Sequence, residues 1–493
     1  MHRFEVAPLP SIARSPAYRW WVVGTVCIGA FMGQLDASIA QLVLPTLQRS
    51  FHASLTAVSW VALSYLLVLA ATLPIFGRLA DIYGRKLLYT AGFVVFILGS
   101  GLCGLAPSLP MLLAARVLQA LGAGLLQANS VAIVTAAAGP EHRGKAIGIQ
   151  GAAQALGLSF GPALGGLLIQ ELGWRWVFWI NVPAGLIGAV LGWLVLPQTA
   201  HTGAGERRFD WMGAVLLMPA LVLLVLGISE MPEWGLSSRA FLTCVVVGAL
   251  LLVVFIVHQR RADPPLIDLG LFRSPAFSAG NLTGLISYGL LFGVFLLLPF
   301  VLERGYADPP FAAGVRLTAI PIALGIVAPF SGAISDRIGA RVPTVGGMLL
   351  VGLSLVVLAV FVGDRGAALG PMTAALLIFG VGEGIFTAPN NSAIMGAAPH
   401  ERLGAAGGVL NVTRTLGTTL GVAAASALLT FRIAAATHGL RDSADATPHE
   451  LLTAAREVLM VFAGCALVAA LLSLFRGNVA TINGVDAEPV GGV

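Results

Sequence analysis

Charged residues are scarce in this sequence: Asp, Glu, Lys and Arg make up only 10% of its 493 residues. A soluble domain usually carries about 25%. Hydrophobic residues make up 57% of the chain and the mean hydropathy is +0.90. This composition excludes an ordinary soluble protein and indicates an integral membrane protein.

Cysteines are few, and the sequence motifs of common enzymes are missing. Each of the four cysteines lies in a different apolar run, without the spacing of a metal site or redox pair. We interpret them as packing residues. The sequence has no G-x-x-x-x-G-K-[ST] phosphate loop and no H-E-x-x-H motif. We therefore expect no enzyme activity, no catalytic residue, no metal site and no cofactor.

The apolar residues form about fourteen runs of the length that a helix needs to cross a bilayer, about 20 residues. The first run follows Arg3, Arg14 and Arg19 and is too long for the core of a signal peptide. The runs lie near residues 20–44, 56–76, 87–105, 110–135, 145–169, 175–196, 211–229, 239–258, 276–301, 312–334, 343–362, 371–396, 405–430 and 454–475. The sequence therefore predicts an all-α membrane protein with fourteen transmembrane helices.

The distribution of Lys and Arg predicts the orientation of the chain. The termini and even-numbered loops carry about twice as many basic residues as the other side. Since the more basic side is normally cytoplasmic, we expect both termini in the cytoplasm and the protein in the cytoplasmic, or inner, membrane.

The sequence also contains an internal repeat. Residues 77–86 read GRLADIYGRK and residues 332–341 read GAISDRIGAR, with Gly, Asp, Gly and a basic residue in the same order. Two related halves are typical of transporters. We therefore expect an N-terminal six-helix bundle (1–200), an inserted two-helix hairpin (201–262) and a C-terminal six-helix bundle (263–493).

The repeated stretches place a carboxylate beside cations in what the sequence predicts to be a tight loop. We interpret them as a conformational latch between helix ends; the alternative is a solvated loop that only marks topology. The latch residues are Gly77, Asp81, Gly84, Arg85 and Lys86 in the first copy, and Asp336 and Arg337 in the second.

At this loop the sequence resembles the major facilitator superfamily, and more specifically its fourteen-helix drug:proton antiporter branch. The resemblance covers essentially the whole chain. Further matching segments are LDASIAQLVLP, RVLQALGAG, GLSFGPALGG, WRWVFWINVPAG and GEGIFTAPNNSAIM. The resemblance implies the major facilitator fold, alternating access of two halves, and transport driven by a proton gradient.

Asp36 lies within the first predicted helix. An ionised carboxylate at bilayer depth costs at least about 2.5–3.5 kcal/mol, so it is a functional candidate. Its helix face carries Gly29, Met32, Gly33 and Ala40, which predicts a cavity beside the carboxyl. There it could hold a proton and release it when a cationic substrate arrives.

In the fourth predicted helix, Arg116, Gln119, Ala123 and Gln127 form one polar stripe. The resemblance implies that Arg116 takes part in proton transfer; the alternative is an arginine that snorkels to the outer surface. With Gln34, we expect Gln119 and Gln127 to line a cavity.

The second half offers Glu383 and Asn390 in helix twelve and Arg414 in helix thirteen. Glu383 is either a second proton site or the partner of Arg414 in a structural ion pair, since buried charges are normally paired. Asn390 is expected to line the cavity.

Small residues recur every fourth position in helix five, where they let helix backbones approach closely. The stretch resembles the motif that separates antiporters from other members of the superfamily. Its residues are Gly157, Gly161, Pro162, Gly165 and Gly166.

Together these features predict a proton-coupled multidrug efflux antiporter that exports hydrophobic or cationic compounds from the cytoplasm. The alternative is a specific exporter or a lipid translocator on the same fold. The expected partners are small drug-like substrates, protons and the lipid bilayer, and not nucleic acid. The sequence does not indicate whether a periplasmic adaptor takes part.

Overall fold

The computed structural model describes residues 5–199, 209–263, 265–363, 369–437 and 444–475. Within these ranges fourteen helices are long and apolar enough to span a membrane, as predicted. They are α1 (Tyr18–Leu42), α2 (Leu55–Tyr83), α3 (Arg85–Leu105), α4 (Leu109–Ala138), α5 (Arg143–Glu171), α6 (Trp176–Val195), α7 (Trp211–Trp234), α8 (Arg239–Gln259), α9 (Pro275–Gly305), α10 (Pro310–Ile338), α11 (Arg341–Phe361), α12 (Leu369–Gly396), α13 (Leu403–Ala436) and α14 (Pro448–Leu474). Arg3, the hairpin linker at 201–208 and the stretch 476–493 lie outside the described residues.

Local capping signals explain where several helices begin. The Ser54 hydroxyl accepts a hydrogen bond from the Ala57 amide at the start of α2, and Ser238 does the same at the start of α8, each at 3.1 Å. Thr447 forms a capping box at the start of α14. Such side chains satisfy amides that have no partner within the helix.

The predicted loop at Gly77–Lys86 is mostly helical, so that expectation was wrong. α2 runs to Tyr83 and α3 begins at Arg85, which leaves Gly84 alone as the connection. Gly84 has φ +109°, a conformation that favours glycine. α2 continues through Pro74 and Gly77, and Asp81 therefore lies on its last turn.

The second copy of the repeat behaves in the same way. α10 continues through Asp336 to Ile338, and Gly339 makes the turn with φ +83°. The first predicted helix is also divided: α1 ends at Leu42, and a separate short helix spans Leu44–Phe51.

Matching glycines bring matching helices together in the two halves of the sequence. A Cβ on Gly92 of α3 would lie 3.1 Å from the carbonyl oxygen of Gly122 in α4. A Cβ on Gly347 of α11 would lie 2.8 Å from the carbonyl oxygen of Gly382 in α12. The α3–α4 and α11–α12 pairs therefore share the same kind of close backbone contact.

The six helices α1–α6 meet the six helices α9–α14 along a seam. We call the end of the bundle where α1 begins the near end and the opposite end the far end. At the far end, Gly166 of α5 packs against Phe311 of α10, and the Ser426 hydroxyl of α13 donates to the Ser59 hydroxyl of α2 at 2.8 Å. The seam is therefore closed at the far end.

The same helix faces separate toward the near end. Gly148 lies about five turns from Gly166 on one face of α5, and Gly325 lies about three turns from Gly314 on α10. A Cβ on Gly148 or Gly325 would meet no atom within 4 Å, whereas one on Gly314 would lie 2.8 Å from the Pro162 carbonyl carbon. The seam is thus open at the near end.

The inserted pair, α7 and α8, is attached to the rest of the chain at both ends. At the far end, the Trp60 indole of α2 donates to Glu230 of α7 at 2.7 Å. At the near end, the amide of Leu266 donates to the side chain of Gln259 at 2.6 Å. This second contact connects the hairpin with the segment that leads into α9.

Candidate functional site

Asp36 lies at the centre of a buried polar network. Its Oδ2 accepts a hydrogen bond from Arg116 Nη1 of α4 at 2.7 Å. Its Oδ1 accepts from Gln119 Nε2 at 2.8 Å and from Asn181 Nδ2 of α6 at 3.1 Å. Both oxygens of the carboxylate therefore have donors, one of them charged, as a buried anion requires.

Arg116 is held as closely as its partner. It is fully buried, its Nε donates to the Val61 carbonyl of α2 at 2.9 Å, and its Nη1 also donates to Gln119 Oε1 at 2.6 Å. The guanidinium carbon lies 4.3 Å from the centre of the Tyr65 ring, within cation–π range. The alternative of an arginine that snorkels to the surface is wrong.

The expected cavity beside Asp36 is absent from this conformation. Asp36, Met32 and Ala40 are buried, and a Cβ on Gly29 would collide with the Tyr89 hydroxyl. The space beside Gly29 is filled by Tyr89 of α3, whereas Gly33 faces open space and borders, with Gly29, a void of about 20 Å³ that Asp36 does not line. Asp36 is therefore enclosed by protein, and a proton or substrate reaches it only if the surrounding helices move.

Two members of this network gave little signal in the sequence. Asn181 donates directly to Asp36, and the Ser100 hydroxyl of α3 accepts from Gln119 Nε2 at 2.8 Å. Asn181 could have been noticed as a lone amide at the start of a predicted helix. A serine such as Ser100 is common in membrane helices and indicates nothing by itself.

Glu383 has a different environment. It is buried, and its Oε2 accepts a hydrogen bond from the Ser287 hydroxyl of α9 at 2.6 Å. Its Oε1 has no hydrogen-bond partner among the described residues. Within the same ranges the carboxyl makes no ion pair, in contrast to Asp36.

The alternative in which Glu383 pairs with Arg414 is therefore wrong. Arg414 is partly exposed on α13 and makes no ion pair or hydrogen bond within the described ranges. Arg414 instead occupies a separate position on the next helix. The Glu383 carboxyl therefore lies beside α9, and the Arg414 guanidinium lies apart from it on α13.

The four amides expected to line one cavity lie in three places. Gln119 belongs to the Asp36 network, and Asn390 donates to the Gly280 carbonyl of α9 at 3.3 Å. Gln34 and Gln127 border a small void of about 20 Å³ between α1, α4 and α5. Helical spacing placed Gln119 and Gln127 on one side of α4, but their neighbours differ along its length.

A cavity of about 440 Å³ occupies the near end of the seam. It is bordered by α2, α4 and α13, by Asp210 at the start of α7, and by residues 265–268 before α9. Helices from both halves and the inserted hairpin therefore contribute to it. Its size falls within the range of small-molecule sites, about 300–1,000 Å³.

The three carboxylates that border this cavity, Asp81, Asp210 and Asp268, each have a basic side chain beside them. Asp81 accepts from Arg85 at 2.9 Å, and Asp268 accepts from Arg402 at 3.1 Å. Burial raises the pKa of Asp210, but hydrogen bonds from His258, the Gly213 amide and Gln259 outweigh it and hold that pKa below its usual range. Asp210 is therefore ionised at neutral pH beside His258, 2.7 Å away.

The predicted latch residues separate into two groups. Gly77, Asp81 and Arg85 border the near-end cavity. Lys86 is buried, and its ammonium group donates to the carbonyls of Val6 and Leu196, each at 2.7 Å. Lys86 therefore holds the N-terminal segment and the end of α6.

The remaining latch residues differ between the two copies. The positive φ of Gly84 explains the need for glycine there, and a Cβ would also meet the Glu5 carboxylate. In the second copy, Asp336 and Arg337 are exposed, and neither makes an ion pair within the described part of the chain. The two copies thus share their turn geometry but not their contacts.

The small residues of α5 contact two different helices. Gly157, Gly161 and Gly165 face α1, where a Cβ would collide with Phe31, Ser38 or Ile39. Pro162 and Gly166 face α10 across the seam. The helix therefore packs inside its own half and against the other half at once.

Comparison with known proteins agrees with this architecture. Residues 26–422 match the family model described as Major Facilitator Superfamily. The fold is similar to that of a bacterial homologue of the human lysosomal transporter Spinster in an inward-facing, occupied conformation. That chain has a TM-score of 0.70 and 15% identity, over 94% of this chain and 97% of the other.

Curated relatives of similar sequence are transport and resistance proteins. The riboflavin transporter RibZ of Clostridioides difficile is 34% identical over 82% of this chain and 87% of its own. The multidrug resistance protein Stp of Mycobacterium tuberculosis is 36% identical over 82% and 74%. The tetracenomycin C resistance and export protein of Streptomyces glaucescens is 33% identical over 84% and 76%.

Proposed function

Because this chain belongs to the major facilitator superfamily, we propose that it is a proton-coupled antiporter that exports hydrophobic or cationic drug-like compounds. The chain is a multi-pass membrane transporter rather than an enzyme. Relatives named as multidrug resistance and tetracenomycin C export proteins support drug export.

The observation that carries proton coupling is the environment of Glu383. An ionised carboxylate buried without a cation is costly, whereas the protonated acid is neutral and can donate its proton in a hydrogen bond. Among the residues that the structure describes, the Ser287 hydroxyl is the one donor to Glu383, and Oε1 has no partner. It therefore holds a proton in this conformation and can release it when the surroundings become wet or positive.

Asp36, unlike Glu383, has a cation beside it and is the second proposed proton site. Arg116 and two amide donors stabilise its ionised form. During transport this pair must break within its own half of the bundle, so that the carboxylate takes up a proton in place of its cation. The two carboxyls thus provide proton sites whose occupancy changes with the conformation of the bundle.

The near-end cavity is the proposed entry for substrate. With both termini in the cytoplasm, as the basic residues predict, this cavity faces the cytoplasm and the closed far end faces outward. Substrate then enters between the halves, and the seam closes at the near end before it opens at the far end. We propose that Asp81 and Arg85, which are paired at the cavity wall, exchange partners during that step.

A specific transporter is the second candidate. The three carboxylates that border the near-end cavity, Asp81, Asp210 and Asp268, each lie beside a basic side chain, which favours a neutral or zwitterionic polar molecule over a lone cation. The relative named as a riboflavin transporter matches this chain over 87% of its own length. Transport of one such compound is therefore the alternative to multidrug export.

Substrate-induced proton release from the purified protein tests the proposal. In weakly buffered detergent solution, adding a lipophilic cation should release protons from the wild type. Asp36→Asn and Glu383→Gln should both abolish this release, since Glu383 is not paired with Arg414 and both carboxyls are proposed proton sites. Glu230→Gln is the matched control, because Glu230 is also a carboxyl within a membrane helix but is bonded to Trp60.

Each outcome has a defined meaning. Release that persists in both the Asp36 and Glu383 variants would reject these carboxyls as the coupling sites. Release with riboflavin but not with lipophilic cations would reject multidrug export in favour of the specific transporter. Size-exclusion profiles of all variants establish that loss of release is not loss of folding.

A further inference from the structure

Two pairs of adjacent residues cross the seam at the far end. Arg49 Nη2, on the short helix Leu44–Phe51, donates to Glu303 Oε2 at 3.1 Å. In the other direction, Arg304 Nη1 donates to Gln48 Oε1 at 2.7 Å. Gln48 and Arg49 thus hold Glu303 and Arg304 by two reciprocal hydrogen bonds, each donated by an arginine.

The contact is more than a surface ion pair. The side chain of Glu303 is 1% exposed, and its Oε1 has no hydrogen-bond partner among the described residues. Arg304 also donates to the Ala444 carbonyl at 2.8 Å, which connects the contact to the segment before α14. Separation of the halves here would remove the only cation within ion-pair distance of Glu303 in the described structure.

The backbone on both sides of this contact is unusual. Among the described residues, His52 and Ala307 are the two non-glycine residues with positive φ, at 49° and 57°. Each follows its half of the contact by three residues. Glu303 and Arg304 also lie on a π-helical turn, Phe300–Gly305. Strained backbone and π turns occur often at sites that change conformation.

We propose that Gln48, Arg49, Glu303 and Arg304 form a far-end clasp that sets the balance between the near-open conformation and a far-open one. The clasp holds the two halves together where the seam is closed. When the clasp is released, the strained backbone at His52 and Ala307 can relax. The near-open and far-open conformations therefore both remain accessible. The inference rests on the proposed alternating-access function and assigns the residues that control its outward step.

A cysteine at Thr430 provides the measurement. Thr430 is buried at the far end of α13, where its hydroxyl lies 3.5 Å from that of Thr56, so a thiol there reacts only when the far end opens. The background is the full-length chain with the four native cysteines replaced by alanine. Detergent-solubilised protein is treated with a polar maleimide, and the rate of labelling is recorded.

Breaking the clasp should raise the rate at which the maleimide labels a cysteine at position 430. We expect Arg49→Glu or Glu303→Arg to raise the rate about tenfold through a shift in population, because each places like charges together. The double variant Arg49→Glu/Glu303→Arg restores opposite charges and should return the rate to near that of the parent. Glu303→Gln keeps the size of the side chain and should give a smaller increase.

Arg316→Glu is the matched control. It breaks the ion pair with Asp308, which also lies at the far end but within one half, at 2.7 Å. Its labelling rate should equal that of the parent. Unchanged rates in folded Arg49 and Glu303 variants, a double variant that stays fast, or an equal increase in Arg316→Glu would each overturn the clasp.

Failure of the clasp and failure of the proposed function remain distinguishable. Labelling needs neither substrate nor a proton gradient. If clasp variants label like the parent while the wild type releases protons with substrate, the clasp is wrong and the antiporter stands. If they label faster but the wild type releases none, the clasp stands without the proposed coupling.

Discussion

At the scale of single residues, the buried ion pair of Asp36 and Arg116 is costly to disrupt and is surrounded by hydrogen-bond partners. Removing one member of a buried ion pair usually costs about 3–5 kcal/mol, since the other charge is left without compensation. The neighbouring amides of Gln119 and Asn181 each donate a hydrogen bond to Asp36, so they depend on the pair as well. The network therefore affects stability as well as transport.

We expect Asp36→Asn to lower the free energy of unfolding by an amount within that range, about 3–5 kcal/mol. The double variant Asp36→Asn/Arg116→Gln should recover most of the loss, because neither charge remains. Denaturant unfolding in a fixed detergent measures both. A double variant less stable than the single one would show that the pair is not the source of the effect.

A surface pair provides the comparison for this prediction. Asp81→Asn removes the partner of Arg85, but both side chains are more than one third exposed. Exposed pairs contribute about 0–1 kcal/mol, so stability should hardly change.

At the scale of the element, the glycines of α5 pack against two different helices. Gly157 and Gly161 accept the backbone and side chains of α1, while Gly166 accepts α10 across the seam. On the same helix Gly151 faces open space. The same residue type therefore has a packing role at some positions and none at another.

This difference predicts opposite effects of the same substitution. Gly157→Ala places a methyl group against the Phe31 carbonyl and 3.1 Å from the Leu35 amide nitrogen, and overpacking of this kind typically costs about 1–3 kcal/mol. Gly151→Ala should be neutral or stabilising, by up to about 1 kcal/mol, since alanine favours a helix. Midpoints of thermal unfolding in detergent compare the two, and equal midpoints would contradict the packing argument.

Elements also show where sequence reasoning failed. The glycines at residues 77 and 84 look alike as loop signals, but only Gly84 has positive φ, and α2 continues through Gly77. A single glycine is tolerated in a helix when flanking residues favour it. The position of the turn therefore depended on backbone conformation that composition does not reveal.

At the scale of the whole molecule, an even number of spans places the two ends of the chain on one side of the membrane. The loop between α13 and α14 is shorter than the runs predicted at 405–430 and 454–475 imply, because α13 reaches Ala436 and α14 begins at Pro448. Residues 438–443 of that loop lie outside the described residues.

Reporter fusions test this topology. A fusion after Val493 and an insertion between Thr437 and Ala444 are expected on opposite sides of the membrane, with Val493 in the cytoplasm. A phosphatase reporter, active only outside the cytoplasm, and a fluorescent protein, active inside it, give complementary signals. Signals from the same side at both positions would contradict fourteen spans.

The sequence by itself determined the features that depend on local order along the chain. Long apolar runs predict spans because backbone groups in lipid must be satisfied within the helix. The repeated motif indicates two halves. The charges of Asp36, Arg116 and Glu383 are conspicuous because their surroundings are apolar. These inferences need only neighbouring residues.

Only the tertiary structure decided which groups meet. Asp36 and Arg116 are 80 residues apart, and Arg49 and Glu303 are 254 apart. No spacing rule relates them, because their distance depends on how separate helices pack. The same holds for the state of the seam, closed at the far end and open at the near end: it is a balance among contacts between distant segments, and each segment taken alone is compatible with either state.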